Sequence, residues 1–512
     1  MQKTLFILGC LLCGASAVSA QKKPLDHSVY NDWKSINAPT LSPRAGVLTY
    51  EVNPQEGDGR LVVRLTSSGR ELTIARGYSA TVTPDERYAV CLVKPFFQDT
   101  RQARIKKKKG DDLPQDSIAI INLSDLSVVK YPSVASYRMG KEATEAVAFI
   151  SNDTTLTTKA DRKAKKAGKP LLVYHLRTAV MDTLRQVDAY DFDHAGRQLA
   201  VTTKDAKKKA AVKLYDVAAR STRTLSDDHP FYTLPAFDEE GTQLLYLASA
   251  DTVESGSKHC ELFRYRLTEA DPERLIDRNY SRNLPAGWGL TENSAPYFSK
   301  DGTRIFAGVA ELRAPKDTTL VDFETAGLDL WHYTEPQLQP QQLANLQRTL
   351  KATSPAVYHD GQLVPLTTSP YDRVQLISKG NAPQAYSVDR TAHMVETQWD
   401  MQIPSVLSLV DLTTGRRTPV GTRRYGTVTA SPAGKYLLWY DYPERNWYLY
   451  NIGEGTTRCL TDGIPTRFWE EENDTPSYPS ACGVAAWTAN DRDVLLYDNR
   501  DIWKIPTDPS AA

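Results

Sequence analysis

Three consecutive carboxylates, Glu470, Glu471 and Glu472, follow Trp469 and precede Asn473-Asp474-Thr475-Pro476. Acidic side chains beside an aromatic ring could hold a cationic group, such as a peptide amino terminus, through charge-assisted hydrogen bonds. The same composition also suits a solvated loop, and both readings are open. The histidines His27, His175, His194, His229, His259, His332, His359 and His393 form no His-Glu-x-x-His pair and no metal-ligand spacing, so no metal is expected. Four of them adjoin an aspartate, in Asp26-His27, Asp193-His194, Asp228-His229 and His359-Asp360. Neighbours on an extended chain point to opposite faces, so these are expected to be turn and surface histidines rather than oriented dyads. Hydrolysis from a strand-to-helix elbow needs Gly-x-Ser-x-Gly, which the chain lacks, and no catalytic residue is assigned. No phosphate-binding loop or dinucleotide fingerprint follows a strand, so no cofactor is expected. Cys91, Cys260, Cys459 and Cys482 are too sparse for a disulfide scaffold, and whether Cys459 and Cys482 pair across the acidic stretch is open.

The elements that must position these residues announce themselves by repetition. A turn centred on Asp, Gly or Pro is followed by an apolar run in Leu41-Ser-Pro-Arg-Ala-Gly46, Val82-Thr-Pro-Asp-Glu-Arg87 and Phe192-Asp-His-Ala-Gly196. The same unit returns in Phe237-Asp-Glu-Glu-Gly241, Phe298-Ser-Lys-Asp-Gly302, Ala430-Ser-Pro-Ala-Gly434 and Trp487-Thr-Ala-Asn-Asp491. Each reads as strand, tight turn and strand, with period-two alternation burying one face. Short aromatic strands follow, such as Trp447-Tyr-Leu-Tyr-Asn-Ile452. Turn glycines 45 and 61 residues apart, at Gly196, Gly241 and Gly302, approach the spacing of four-stranded blades with insertions. The expected fold is all-β, a β-propeller of about six to eight four-stranded blades, incomplete at its C-terminus; an array of β-sandwiches is the alternative.

Lys plus Arg and Asp plus Glu both number 62, so no net field recruits nucleic acid or an anionic membrane. The lysine clusters 104–109, 159–166 and 204–209 contain no aromatic residue and read as solvated loops. Residues 1–20 have the positive start at Lys3, the apolar stretch and the small-residue site Val18-Ser19-Ala20 of a signal peptide; a lipoprotein reading would use Cys10 instead. No later segment is long and apolar enough to span a membrane. The expectation is a periplasmic or extracellular protein with a signal peptide over 1–20, an N-terminal extension over 21–40 and a propeller over 41–512.

Several unusual strings then carry a resemblance. They are Lys23-Pro-Leu-Asp-His-Ser-Val-Tyr-Asn-Asp-Trp-Lys-Ser-Ile36, Val52-Asn-Pro-Gln-Glu-Gly-Asp-Gly59, Leu284-Pro-Ala-Gly-Trp-Gly-Leu-Thr-Glu-Asn293, and Trp469 to Pro476 with Tyr497-Asp-Asn-Arg-Asp-Ile-Trp503. From about residue 22 to 505 the chain resembles secreted bacterial serine peptidases of the prolyl-oligopeptidase family. The resemblance implies an N-terminal propeller that admits short peptides to a C-terminal α/β-hydrolase domain bearing a Ser-Asp-His triad. Only Pro506 to Ala512 follow Ile505, so that domain is expected only if encoded downstream, and the chain alone is expected not to hydrolyse peptides. Glu470 to Glu472 are similar to carboxylates that hold a substrate amino terminus in dipeptidyl-peptidase relatives. The rival expectation is a stand-alone periplasmic propeller, TolB-like in architecture, that binds a protein or glycan.

Overall fold

The computed structural model describes residues 26–164, 167–252, 256–317 and 319–508. The leader 1–20 and Lys165 and Lys166 of the second lysine cluster lie outside the described residues. The chain divides into two compact units, one running to Tyr137 and including Phe149–Asp153, the other holding the rest.

In the first unit, strands Lys34–Leu41, Val47–Pro54, Arg60–Leu65 and Glu71–Ala75 pair antiparallel in chain order. Residues 34–40, placed by the sequence in an N-terminal extension, thus belong to the outer strand of this sheet, which is exposed along its whole length. A second meander follows through Gly77–Val82, Tyr88–Val93, Asp116–Asn122 and Ser127–Arg138. The two sheets bury Leu61, Val63 and Ile74 of one against Ala89, Cys91 and Ile121 of the other.

In the second unit the same plan repeats. Val180–Phe192 is long enough to pair first with Lys169–His175 and then with Gln198–Lys204. Meanders over 231–276, 288–365, 372–424 and 428–459 succeed one another, and a three-stranded sheet occupies 484–506.

The expected one-sided alternation needs correction here. In Gln243–Ser249, residues Leu244, Tyr246 and Ala248 pack with Ala210, Val212 and Leu214, while Leu245 and Leu247 pack with Ile305 and Ala307. In Tyr436–Asp441, Leu437 and Trp439 face Leu407 and Leu409, while Leu438 and Tyr440 face Val494 and Leu496. A central strand covered on both sides has no solvent face to leave polar, hence its near-continuous apolar run. Four-stranded antiparallel sheets stacked face to face on their chain neighbours are the blades of a β-propeller, and the fold is all-β. A two-layer sandwich would leave each sheet one wet face.

The repeated turn has a chemical cause. In each copy a Ser, Thr or Asp side chain accepts the backbone N–H five residues on. The donors and acceptors are Val47 to Ser42 (2.9 Å), Tyr88 to Thr83 (3.1 Å), Gln198 to Asp193 (2.8 Å) and Gln243 to Asp238 (3.2 Å). Arg304 to Ser299 (2.9 Å), Tyr436 to Ser431 (3.0 Å) and Asp493 to Thr488 (2.8 Å) complete the series. The backbone N–H of the same seven residues donates back to the carbonyl five residues on. The hairpin entry is therefore closed twice, and its buried polar groups are satisfied. Asp193, whose sequence context has a faint calcium-loop pattern, is used in this way. The turns also tie neighbouring blades: Glu86 accepts from Ser42 Oγ and from the Gly46 N–H, and Asp491 accepts from Ser431 Oγ and the Ala433 N–H.

Candidate functional site

The acidic run lies in the connection 460–483. A β-bridge between Trp469 and Ala481 closes its base, and the Glu470 N–H donates to the Ser480 carbonyl at 2.9 Å. Glu470, Glu471 and Glu472 are all exposed, and Glu471 lies 3.6 Å from Arg467 in a surface ion pair. Their carboxylates are open to solvent around the loop rather than gathered in a cavity. Cys459 and Cys482, which flank the run, are both free thiols.

Two histidines stand out, of which only His229 is among the four expected to be turn and surface residues. His175 is buried; its Nε2 lies 3.0 Å from Asp182 Oδ2 and 3.1 Å from the Tyr215 hydroxyl. His229 does pair with its chain neighbour, Nδ1 standing 2.8 Å from Asp228 Oδ1, with Glu261 Oε2 3.0 Å from Nε2. The opposite-faces argument fails because Asp228-His229 lies in a bend, not in a strand. The nearby Ser226 hydroxyl donates to Asp228 Oδ1 at 2.8 Å and not to the imidazole, so the carboxylate stands between hydroxyl and ring. That order cannot pass the serine proton to the histidine, as a hydrolytic triad requires. Among the described residues no three or more His, Cys, Asp or Glu side chains are grouped so as to hold a metal.

One concavity was not legible in the sequence. A cavity of about 960 Å³ in the first unit lies where its two sheets meet. Arg76 joins the sheets: it links Glu71–Ala75 to Gly77–Val82, donates its N–H to the Gly59 carbonyl at 2.8 Å and accepts from the Lys94 N–H at 3.0 Å. To do so its backbone takes a φ of +61°, a left-handed conformation that costs energy for a residue with a Cβ. Next to it, Gly77 permits close packing, since a Cβ there would stand 2.8 Å from that of Leu61.

One wall is the turn 53–59, within the string Val52 to Gly59 that carries part of the resemblance. Another is the helix Phe97–Ile105, whose first N–H is capped by Asp58 Oδ1 at 2.9 Å. The Tyr78 hydroxyl donates to the Asp116 carboxylate in a short hydrogen bond. Burial, and then Asp116, push the Tyr78 hydroxyl's pKa upward, so it remains a donor.

Four cations line the cavity: Arg76, Lys94, Arg101 and Arg104. Of the lining carboxylates, Asp58 caps the helix and Asp116 holds Tyr78, which leaves Glu56. No ion pair joins any of the four cations to a carboxylate among the described residues. The Arg76 guanidinium stacks 3.6 Å above the Phe96 ring, and its buried Nε has no hydrogen-bond partner. Lys94 Nζ lies 4.9 Å from the centre of the Tyr78 ring. Unpaired donors beside aromatic faces suit an anionic group carried on a partly apolar ligand.

No family model and no curated protein matches the sequence. Among solved structures the chain is similar in fold to a prolyl endopeptidase, with 10% identity and a TM-score of 0.36 over 83% of this chain and 55% of that one. It is also similar to the β-propeller domain of the Trilobed protease from Pyrococcus furiosus, with 9% identity and a TM-score of 0.30 over 84% and 98% of the two chains. TolB from Acinetobacter baumannii is similar at 11% identity and a TM-score of 0.27, over 77% and 80%. The chain spans about half the length of the prolyl endopeptidase. None of these likenesses assigns a ligand or a reaction to this chain.

Proposed function

We propose that the protein is an exported β-propeller that captures short peptides without cleaving them, the substrate-selecting part of a prolyl-oligopeptidase-like serine peptidase. What supports this reading is the cation-rich cavity of the first unit, whose size, about 960 Å³, suits a peptide of a few residues. Arg76, Lys94, Arg101 and Arg104 would receive the peptide carboxylate, with the ring faces of Tyr78 and Phe97 alongside. In the same reading Glu470, Glu471 and Glu472 are offered to a cationic amino terminus, and the partner for catalysis is an α/β-hydrolase domain if one is encoded downstream.

Calorimetric titration of a proline-containing tripeptide tests the cavity. The free acid binds, its C-terminal amide binds roughly tenfold more weakly, and Arg101→Ala, on an exposed helix position, removes the difference. Equal binding of acid and amide, or binding of neither, would sink the carboxylate reading. Glu471→Lys tests the acidic run, weakening free-amine peptides while sparing acetylated ones; equal loss for both leaves it a solvated loop. A fluorophosphonate probe leaves the protein unlabelled, and stoichiometric labelling of one serine would overturn the non-hydrolytic role.

A further inference from the structure

Three connections in the second unit are stitched together far from the cavity residues in sequence. They run over 312–353, between Ile305–Glu311 and Ser354–His359; over 390–404, between Gln384–Asp389 and Ser405–Asp411; and over 460–483, between Thr456–Cys459 and Val484–Trp487. Gln398 Nε2 donates to the Glu335 carbonyl at 3.1 Å, which ties the first to the second. Gln402 ties the second to the third, donating to the Tyr478 carbonyl at 3.0 Å and accepting from the Tyr478 N–H at 2.9 Å.

These connections display large apolar side chains to solvent. Phe323 is 89% exposed, Leu328 88%, Trp331 65%, Tyr333 85%, Trp399 71% and Met401 88%. The helix Gln339–Leu350, in the first connection, buries none of its residues. Scattered exposed apolar residues are ordinary, but such a concentration on three joined connections marks an interaction surface. Its charge is predominantly negative: the three connections hold twelve carboxylates against six Lys or Arg, and the basic residues lie outside the stretches that follow. Residues 319–337, 391–402 and 469–480 carry four, two and four carboxylates respectively and no Lys or Arg, although the whole chain is balanced.

We propose that this surface docks a segment of a separate protein in which Lys or Arg side chains alternate with large apolar ones. The apolar groups supply desolvation and the carboxylates steer and orient a basic partner. A nucleic acid or an anionic lipid face meets like charge here. A second copy of the chain would offer the lysine clusters, but these contain no aromatic residue to meet Trp331 and Tyr333. The inference goes beyond peptide capture; it shares the acidic run Glu470 to Glu472 with that reading but none of the cavity residues, so capture at the cavity and docking here can each fail without the other.

The test is fluorescence anisotropy of a labelled Lys/Leu amphipathic peptide titrated with the full chain. The peptide binds, its Glu/Leu counterpart does not, and affinity falls as salt rises. The double variant Trp331→Ser, Tyr333→Ser weakens binding roughly tenfold or more while the circular dichroism spectrum and Tm stay unchanged, since both positions are exposed. Glu470→Gln with Glu472→Gln flattens the salt dependence. The proposal is overturned if neither peptide binds, if both bind alike, or if the variants bind as the parent does. It is also overturned if light scattering finds a dimer that the double variant abolishes, or if phosphatidylcholine vesicles bind the parent and not that variant.

Discussion

Asp182 gathers three side chains around one carboxylate. Its Oδ2 accepts from the Tyr215 hydroxyl at 2.7 Å and from Arg220 Nε at 2.8 Å, with His175 Nε2 at 3.0 Å, and Arg220 Nη2 donates to Oδ1 at 2.5 Å. Arg220 above all, followed by Tyr215 and His175, holds the Asp182 carboxyl well below the usual range against the opposing effect of burial. A folded-state pKa below the unfolded value of about 3.9 stabilises fully above that value, and the stabilisation is lost as the pH falls below it. Asp182→Asn should therefore lower stability by about 1 to 2 kcal/mol near neutrality, and the gap should begin to narrow below about pH 4 and go on narrowing to the lowest pH at which the fold persists. Urea midpoints across that range measure it; a gap that widens in acid would contradict the assignment. The four cavity cations differ in kind from this cluster: none forms an ion pair among the described residues, whereas Asp182 has no capacity to spare.

Between elements, hydrogen bonds from one hairpin entry to the next add to the apolar contacts. Asp491 is 1% exposed and receives the Ser431 hydroxyl at 2.6 Å and the Ala433 N–H at 3.0 Å, so it fastens the blade over 484–506 to that over 428–459. Asp491→Ala strands the buried Ser431 hydroxyl and frees the part-buried Ala433 N–H, and is expected to cost about 1 to 3 kcal/mol. Ser431→Ala should be non-additive with it, because the two side chains form one interaction, and a double-mutant cycle by denaturant unfolding reports the coupling. Trp439, fully buried in the middle of Tyr436–Asp441, packs against the blade over 372–424, and Trp439→Ala should cost about 3 to 5 kcal/mol. A loss under about 1 kcal/mol would mean that the blades do not rely on that seam.

At the scale of the whole molecule, packing between blades is nearest-neighbour in character, and the chain falls into two units, the cluster around Val63 lying in the first and that around Trp439 in the second. Denaturant unfolding is expected to resolve more than one transition. Val63→Ala, in the core of the first unit, should shift one of them and Trp439→Ala the other, as read by circular dichroism at several wavelengths. A single transition displaced equally by both would show that the units unfold together. The balance of 62 basic and 62 acidic residues conceals a local asymmetry, because four cations line the cavity while the joined connections of the second unit hold twelve carboxylates against six Lys or Arg.

What the sequence determined by itself was what local chemistry encodes. A turn centred on Asp, Gly or Pro followed by an apolar strand is a contiguous signal, and it announced the turns and the blade class, whereas the Ser, Thr or Asp cap that closes each hairpin five residues on came to light only in the structure. The burial of both faces of Tyr436–Asp441 was already written as Leu437-Leu-Trp-Tyr440, yet one-sided alternation was expected because no local feature says that a second sheet covers the other face. The pairing of Asp228 with His229 depended on a bend that only the surrounding strands impose. The cavity draws on residues from Asn53 to Asp116, and the apolar surface joins connections separated by whole blades. Side chains that meet only through the stacking of sheets leave no spacing along the chain, and so the tertiary structure alone decided where charge and apolar surface are concentrated.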